Sequence, residues 1–277
     1  LDNITRSDTL WPTIKDLTSQ QQKPTNNQGI KFNDKVTNDQ VDIANNLNRQ
    51  FTPGSESKPV QESRTTDRNL KKKTIDPEII ITTDQVTKAI KKSKASKALG
   101  PDDLSPVMLK HLGNNGIKFL TDIFNKCINQ SIIPDIWKIG RIIPLLKPGK
   151  AADNGPSYRP ISLLSPAAKI LEAVILPELS EAINLAGHQH GFRKKHSTTT
   201  ALTEISEHIC TGMNKTKPID RTVSVAIDLS RAFDTVNHHL LLQDILELQL
   251  NNHIKRFLCS YLHGRKTYVE FRGVKSK

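Results

Sequence analysis

The run V-S-V-A-I-D, residues 223–228, constrains this chain more than any other stretch. Val223, Val225 and Ile227 alternate with the smaller Ser224 and Ala226, a period of two that predicts a strand with its larger face buried. Asp228 stands at its tip. A carboxylate at the end of a buried apolar strand has shed part of its hydration and needs a cation, a donor or a proton. After Leu229 and Ser230 come Arg231, Ala232, Phe233 and a second acid, Asp234. By spacing alone, an Asp that closes a strand reads first as a turn former or as the cap of the next helix.

Charge narrows the choice of partner. The 277 residues carry 40 Lys and Arg against 28 Asp and Glu, a formal charge of +12 and a sequence pI near 9.6. Such a balance suits a protein that meets a polyanion, nucleic acid being the commonest, although solubility alone also accounts for it. No apolar run approaches transmembrane length, so no membrane is expected as a partner. Cys127, Cys210 and Cys259 are odd in number, far apart and in no C-x-x-C pair, which speaks against a disulfide framework and fits a reducing compartment. The length allows one large or two modest domains. Leu1 stands where an initiator Met would, which suggests a piece of a longer protein.

Residues 1–75 read as a polar, linker-like segment, with 13 Asn and Gln between positions 20 and 50. One helix is expected there, opened by a Thr37–Gln40 capping box and presenting Val41, Ala44, Leu47 and Phe51 on one face. Thr82 and Gln85 repeat the box before a helix through Val86 and Ile90, and Lys88, Lys91, Lys92, Lys94 and Lys97 then read as a solvated face. Gly100-Pro101 breaks the chain, and Asp102-Asp103 lies in a turn where Asp tolerates a left-handed backbone. Phe119, Leu120, Ile123, Phe124 and Ile128 form a core stripe. R-I-I-P-L-L-K-P-G-K followed by Y-R-P-I-S-L-L predicts a hairpin tipped by Lys147, Lys150 and Arg159. A helix over residues 166–185 turns Ile170, Leu171, Val174, Ile175 and Leu179 inward.

His188, His190, His196 and His208 invite a metal site, but no Cys or acid completes a ligand set at standard spacing, so none is expected. Phe192 reads as core. Residues 237–250 predict a helix that buries Leu241, Leu242, Ile245, Leu246 and Leu248 against a sheet. A further helix through Ile254, Phe257, Leu258 and Tyr261 leads to a turn at Gly264 and a strand at Tyr268 to Phe271.

D-L-S-R-A-F-D-T-V, with Asp228 and Phe233, resembles the first carboxylate motif of reverse transcriptases from non-LTR (LINE-type, jockey-like) retrotransposons. Four more blocks resemble that family in its own order: A-L-G-P-D-D, P-L-L-K-P-G-K, Y-R-P-I-S-L-L and Q-H-G-F-R-K-K-H-S-T. The first of these departs from the usual pattern at Leu99 and Asp103. The resemblance implies an α+β, right-hand polymerase fold, with fingers over 76–222 and the first part of the palm over 223–277. The P-Q-G motif and the paired-aspartate strand do not occur before Lys277, so it also implies that the thumb and the second half of the palm are missing. The implied activity is RNA-directed DNA polymerisation on a DNA primer and an RNA template, with deoxynucleoside triphosphates and two Mg2+ ions in the intact enzyme, inside a nuclear or cytoplasmic ribonucleoprotein.

Carried over position by position, the resemblance makes Asp228 the catalytic, metal-binding acid. Lys147 and Arg159 become the clamp on the nucleotide triphosphate, and Phe233 the gate against a ribose 2′-OH. Gln189, Arg193, Lys194, Lys195 and Ser197 fall on the template path, with Gly191 allowing close approach. Two other readings stand beside it: a nucleic-acid-binding remnant without chemistry, and an intron-encoded maturase.

Overall fold

A computed structural model describes residues 29–32, 35–52, 76–215, 221–229, 232–233 and 235–277; Arg231, Asp234 and most of the segment 1–75 lie outside them. Ile139–Leu146 (β3) and Tyr158–Leu163 (β4) pair antiparallel, with Leu146 opposite Tyr158 and Leu145 opposite Arg159, which is the expected hairpin. The other edge of β3 takes Lys266–Phe271 (β5) in parallel, and β5 turns through Gly273 into Val274–Lys275 (β6). The sheet order is β4-β3-β5-β6, and with the surrounding helices it gives the α+β class.

One face of this sheet is apolar because Ile142 and Pro144 on β3 match Val269 and Phe271 on β5, all buried. Its cover comes from far upstream. Ile30–Phe32 (β1) and Lys35–Thr37 (β2) form a small hairpin, and Gln40–Phe51 (α1) buries Ile43, Leu47 and Phe51 in the same cluster. Residues 30–32 and 35–51 are therefore a layer of the core rather than linker. Their abundant Asn and Gln lower the mean hydropathy but leave the buried stripe intact. The helix starts later than the Thr37 box implied. Asp39 caps it, accepting from Asp42 N at 2.8 Å, so Ile43 turns inward and Val41 stays 37% exposed.

A second cluster is helical. Thr83–Lys92 (α2), Pro106–Lys110 (α3), Asn114–Gln130 (α4) and Pro166–Ala182 (α5) pool Val86, Ile90, Leu109, Phe124, Ile128, Ile170 and Leu171. The Thr82–Gln85 capping box forms as expected, and the five lysines after it are exposed. Phe119 is exposed, contrary to the expected stripe, because Cys127 and Thr121 occupy the inward side of α4 with Leu120, Phe124 and Ile128. The same helix zips up the incoming strand-like segment. Asn125 accepts from Ile81 N and donates to Ile81 O, and Asn129 does the same with Ile79, at 2.7–3.0 Å. Asp103 takes the left-handed backbone, φ 55°, that its place in the turn required.

Thr198–Met213 (α6) has no buried residue among those described. His238–Glu247 (α7) packs on Asn252–Leu262 (α8) rather than on the sheet, and among its leucines and isoleucine Ile245 is the buried one. In turn α8 delivers Ile254 and Phe257 to the helical cluster.

Candidate functional site

The hairpin β3–β4 fixes the two phosphate-clamp candidates. Lys147 N donates to Ser157 O at 2.8 Å, carrying the ladder one step past the Leu146–Tyr158 pair. Side chains alternate across a strand, so Leu145, Lys147 and Arg159 share the face opposite Ile142, Pro144 and Tyr158. Lys147 and Arg159 are diagonal neighbours there, a relation that spaces their Cβ atoms by roughly 7 Å. Lys147 Nζ donates to Pro156 O at 2.7 Å and Arg159 is exposed, while Tyr158 Oη pins the connecting loop through Ala152 O at 2.7 Å. On the same face Arg141 meets Glu270 at 2.8 Å, locking β3 to β5.

The expected buried strand before Asp228 does not form. Val223, Val225, Ile227 and Leu229 are 73–84% exposed, Asp228 is exposed too, and no strand among the described residues pairs with them. An alternating segment without a neighbour leaves its amides to water and its apolar side chains without a layer to pack on, so it does not hold as a strand. Periodicity identifies which side a partner would cover and does not supply the partner. Asp228 also stands outside the one grouping of three potential metal ligands found among the described residues. A pair of Mg2+ ions needs several hard oxygen donors, and Asp228 brings one carboxylate, so the described residues do not by themselves fit two ions. Phe233 is exposed, its ring edge-on to Phe192 at 5.8 Å between centroids. Phe192 is 92% exposed in a left-handed turn, φ 58°, not core as expected, because no layer among the described residues covers that loop.

Of the template-path candidates, Gln189, Lys194, Lys195 and Ser197 are exposed, and Arg193 is half-buried. Two of them shape the loop. Arg193 Nη1 donates to Ala186 O and Gly187 O, both at 3.2 Å, and Ser197 caps α6 by accepting from Thr200 N at 3.3 Å. Lys195, like Phe192, is left-handed, φ 63°, a conformation that costs a non-glycine residue about 1–3 kcal/mol. A Cβ at Gly191 would meet nothing within 4 Å, so no close contact in the structure calls for that glycine.

Beside this loop the structure corrects one premise of the reading of the histidines, that no acid stands with them, because Glu204 on α6 lies among them. His188 Nδ1 contacts Glu204 Oε1, His190 Nε2 meets Oε2 at 2.6 Å, and His208 Nε2 lies 3.9 Å from Oε1. Hydrogen bonds from His188 and then His190 hold the Glu204 carboxyl below the usual carboxylate range. The legible signal was Glu204 and His208 one helical turn apart. It was missed because His188 joins them across a loop, at no standard finger spacing.

Residues 147–276, the span from Lys147 through the last strand of the sheet, match the family described as reverse transcriptase (RNA-dependent DNA polymerase). The chain carries a reverse transcriptase domain. It is 32% identical over 196 residues to a probable RNA-directed DNA polymerase from transposon BS of Drosophila melanogaster, covering 69% of this chain and 20% of that protein. It is 31% identical over 243 residues to the RNA-directed DNA polymerase from mobile element jockey of the same organism, covering 84% and 26%. A relative from a type-1 retrotransposable element R1 of Bradysia coprophila is 27% identical over 190 residues, covering 67% and 18%. The chain thus belongs with the reverse transcriptases of non-LTR retrotransposons and spans about a fifth of the length of the curated relatives it matches first. No helix among the described residues is long and apolar enough to cross a membrane.

Proposed function

We propose that this chain is the fingers and the first part of the palm of a right-hand RNA-directed DNA polymerase, and that the exposed cationic face of the β3–β4 hairpin grips the triphosphate of an incoming deoxynucleotide. The observation that carries this reading is the register that sets Lys147 and Arg159 side by side on the solvent face. Arg159 offers a planar fork to paired phosphate oxygens, and Lys147 adds a point charge. Gln189, Arg193, Lys194, Lys195 and Ser197 line the RNA template, and the +12 charge favours the primer–template duplex. Asp228 would be one of the acids that hold the two Mg2+ ions in the intact enzyme, and the metal would supply charge neutralisation for phosphoryl transfer. Phe233 packs against the deoxyribose and rejects a 2′-OH. The partner strands for Val223 to Ile227 and the remaining metal ligands belong to the rest of the polymerase. The chain as it stands is expected not to extend a primer, since one carboxylate cannot hold both ions.

The test is a fluorescence titration of the 277-residue chain with a labelled deoxynucleoside triphosphate. Losing a charged hydrogen bond costs about 1.5–3 kcal/mol, so Lys147→Ala and Arg159→Ala should each weaken binding about 10- to 100-fold. Affinity unchanged in both variants would refute the clamp. Salt-sensitive RNA binding with no nucleotide binding would favour the remnant without chemistry.

A further inference from the structure

We propose that His188, Glu204 and His208 form a site for a borderline divalent transition metal, zinc above all, that fastens the loop of residues 186–197 to α6. Each residue offers one donor atom, and the three donors lie within 4.8 Å of one another. A tetrahedral zinc ion holding each donor at about 2.1 Å needs them roughly 3.4 Å apart. The adjustment required is small, and it falls on His188 and His208, both exposed, whose rotations disturb no core packing. Glu204 and His208 are four residues apart on one helix, so they face the same way however the loop moves. His188 arrives from the loop, and water completes the shell.

The surroundings support the carboxylate as a ligand. The second oxygen of Glu204 is held at 2.6 Å by His190, whose other ring nitrogen is tied to Thr200 Oγ1 at 2.9 Å. Thr200 in turn bonds the backbone of the Ser197 cap. Glu204 Oε1 is thereby left pointing at His188 and His208. This is the outer-shell hydrogen bonding that orients metal-ligating carboxylates. Two imidazoles and one carboxylate suit zinc and its neighbours in the transition series, whereas Mg2+ prefers oxygen donors only. The site shares no residue with the phosphate clamp or with Asp228, and its test does not depend on nucleotide binding. Its consequence lies next door: the bound ion fixes the loop that carries Arg193, Lys194 and Lys195.

The experiment is titration of the untagged, metal-stripped 277-residue chain with zinc chloride against a competing chromophoric chelator, in excess Mg2+. The expected result is one zinc ion per chain at the tightest site, undisplaced by Mg2+. His190→Ala, an outer-shell change, should weaken it about 10- to 100-fold. The double variant His188→Ala/His208→Ala should abolish it while leaving helical circular dichroism unchanged. In the unaltered chain, zinc should also protect His188 and His208 from diethyl pyrocarbonate relative to His238 and His239, a readout that needs no variant. Absence of a saturable zinc site, zinc binding as tight in the double variant as in the parent, or equal modification of all four histidines would each overturn the proposal.

Discussion

Replacing Leu47 by Ala tests whether the layer built from residues 30–32 and 35–51 is part of the folded unit. Leu47 is 0% exposed, packed with Ile43 and Phe51 against Val269 and Phe271 of β5. Truncating a fully buried leucine removes its transfer free energy and leaves a cavity, and together these cost about 2–5 kcal/mol. The neighbours lie on a helix and a sheet that cannot collapse freely into the gap, which favours the upper part of that range. Val41→Ala is the control: the side chain is 37% exposed on the same helix, and the change should stay within about 0.5 kcal/mol. Urea unfolding followed by circular dichroism reads both as shifts of the midpoint at constant slope. If α1 were a tethered spacer, the two variants would unfold alike. Identical midpoints would refute the layered architecture.

Two further outcomes are specific. Thr82→Ala removes the hydroxyl that accepts from Gln85 N at 3.3 Å and should cost about 1 kcal/mol in the same unfolding assay, and a silent variant would mean the capping box contributes nothing. Burial pushes the Cys127 thiol up to about 11, so its thiolate fraction at pH 8 is on the order of 10⁻³, while Cys210 is exposed. Iodoacetamide at pH 8 should therefore label Cys210 well before Cys127, with Cys127 gaining reactivity only as pH rises toward its shifted value. Equal labelling rates, read by peptide mass mapping, would contradict the burial.

What the amino acids disclosed depended on range. Features settled within a few residues were legible: the Thr82–Gln85 box, the Asp103 turn and the β3–β4 hairpin with Lys147 and Arg159 on its rim. Features that depend on a distant partner were not. The residues of Val223 to Asp228 alternate like a strand, yet alternation cannot say whether a neighbour is present, and here none of the described residues provides one. The stripe of α1 was legible at Ala44, Leu47 and Phe51, but the polar composition around it hid that the helix packs on β5 and β6 from the other end of the chain. Glu204 escaped notice among the histidines for the same reason, since the loop rather than local spacing brings His188 to it.

The contact between Lys277 N and Asn45 Oδ1 spans 232 residues and closes the cover over the sheet. On a ribosome adding about 5–20 residues per second, that separation amounts to on the order of 10–50 s of synthesis. Throughout that interval Ile43, Leu47 and Phe51 have no β5 to meet. The nascent chain is thus exposed to premature self-association throughout that interval, a window in which a holding chaperone would find these three side chains.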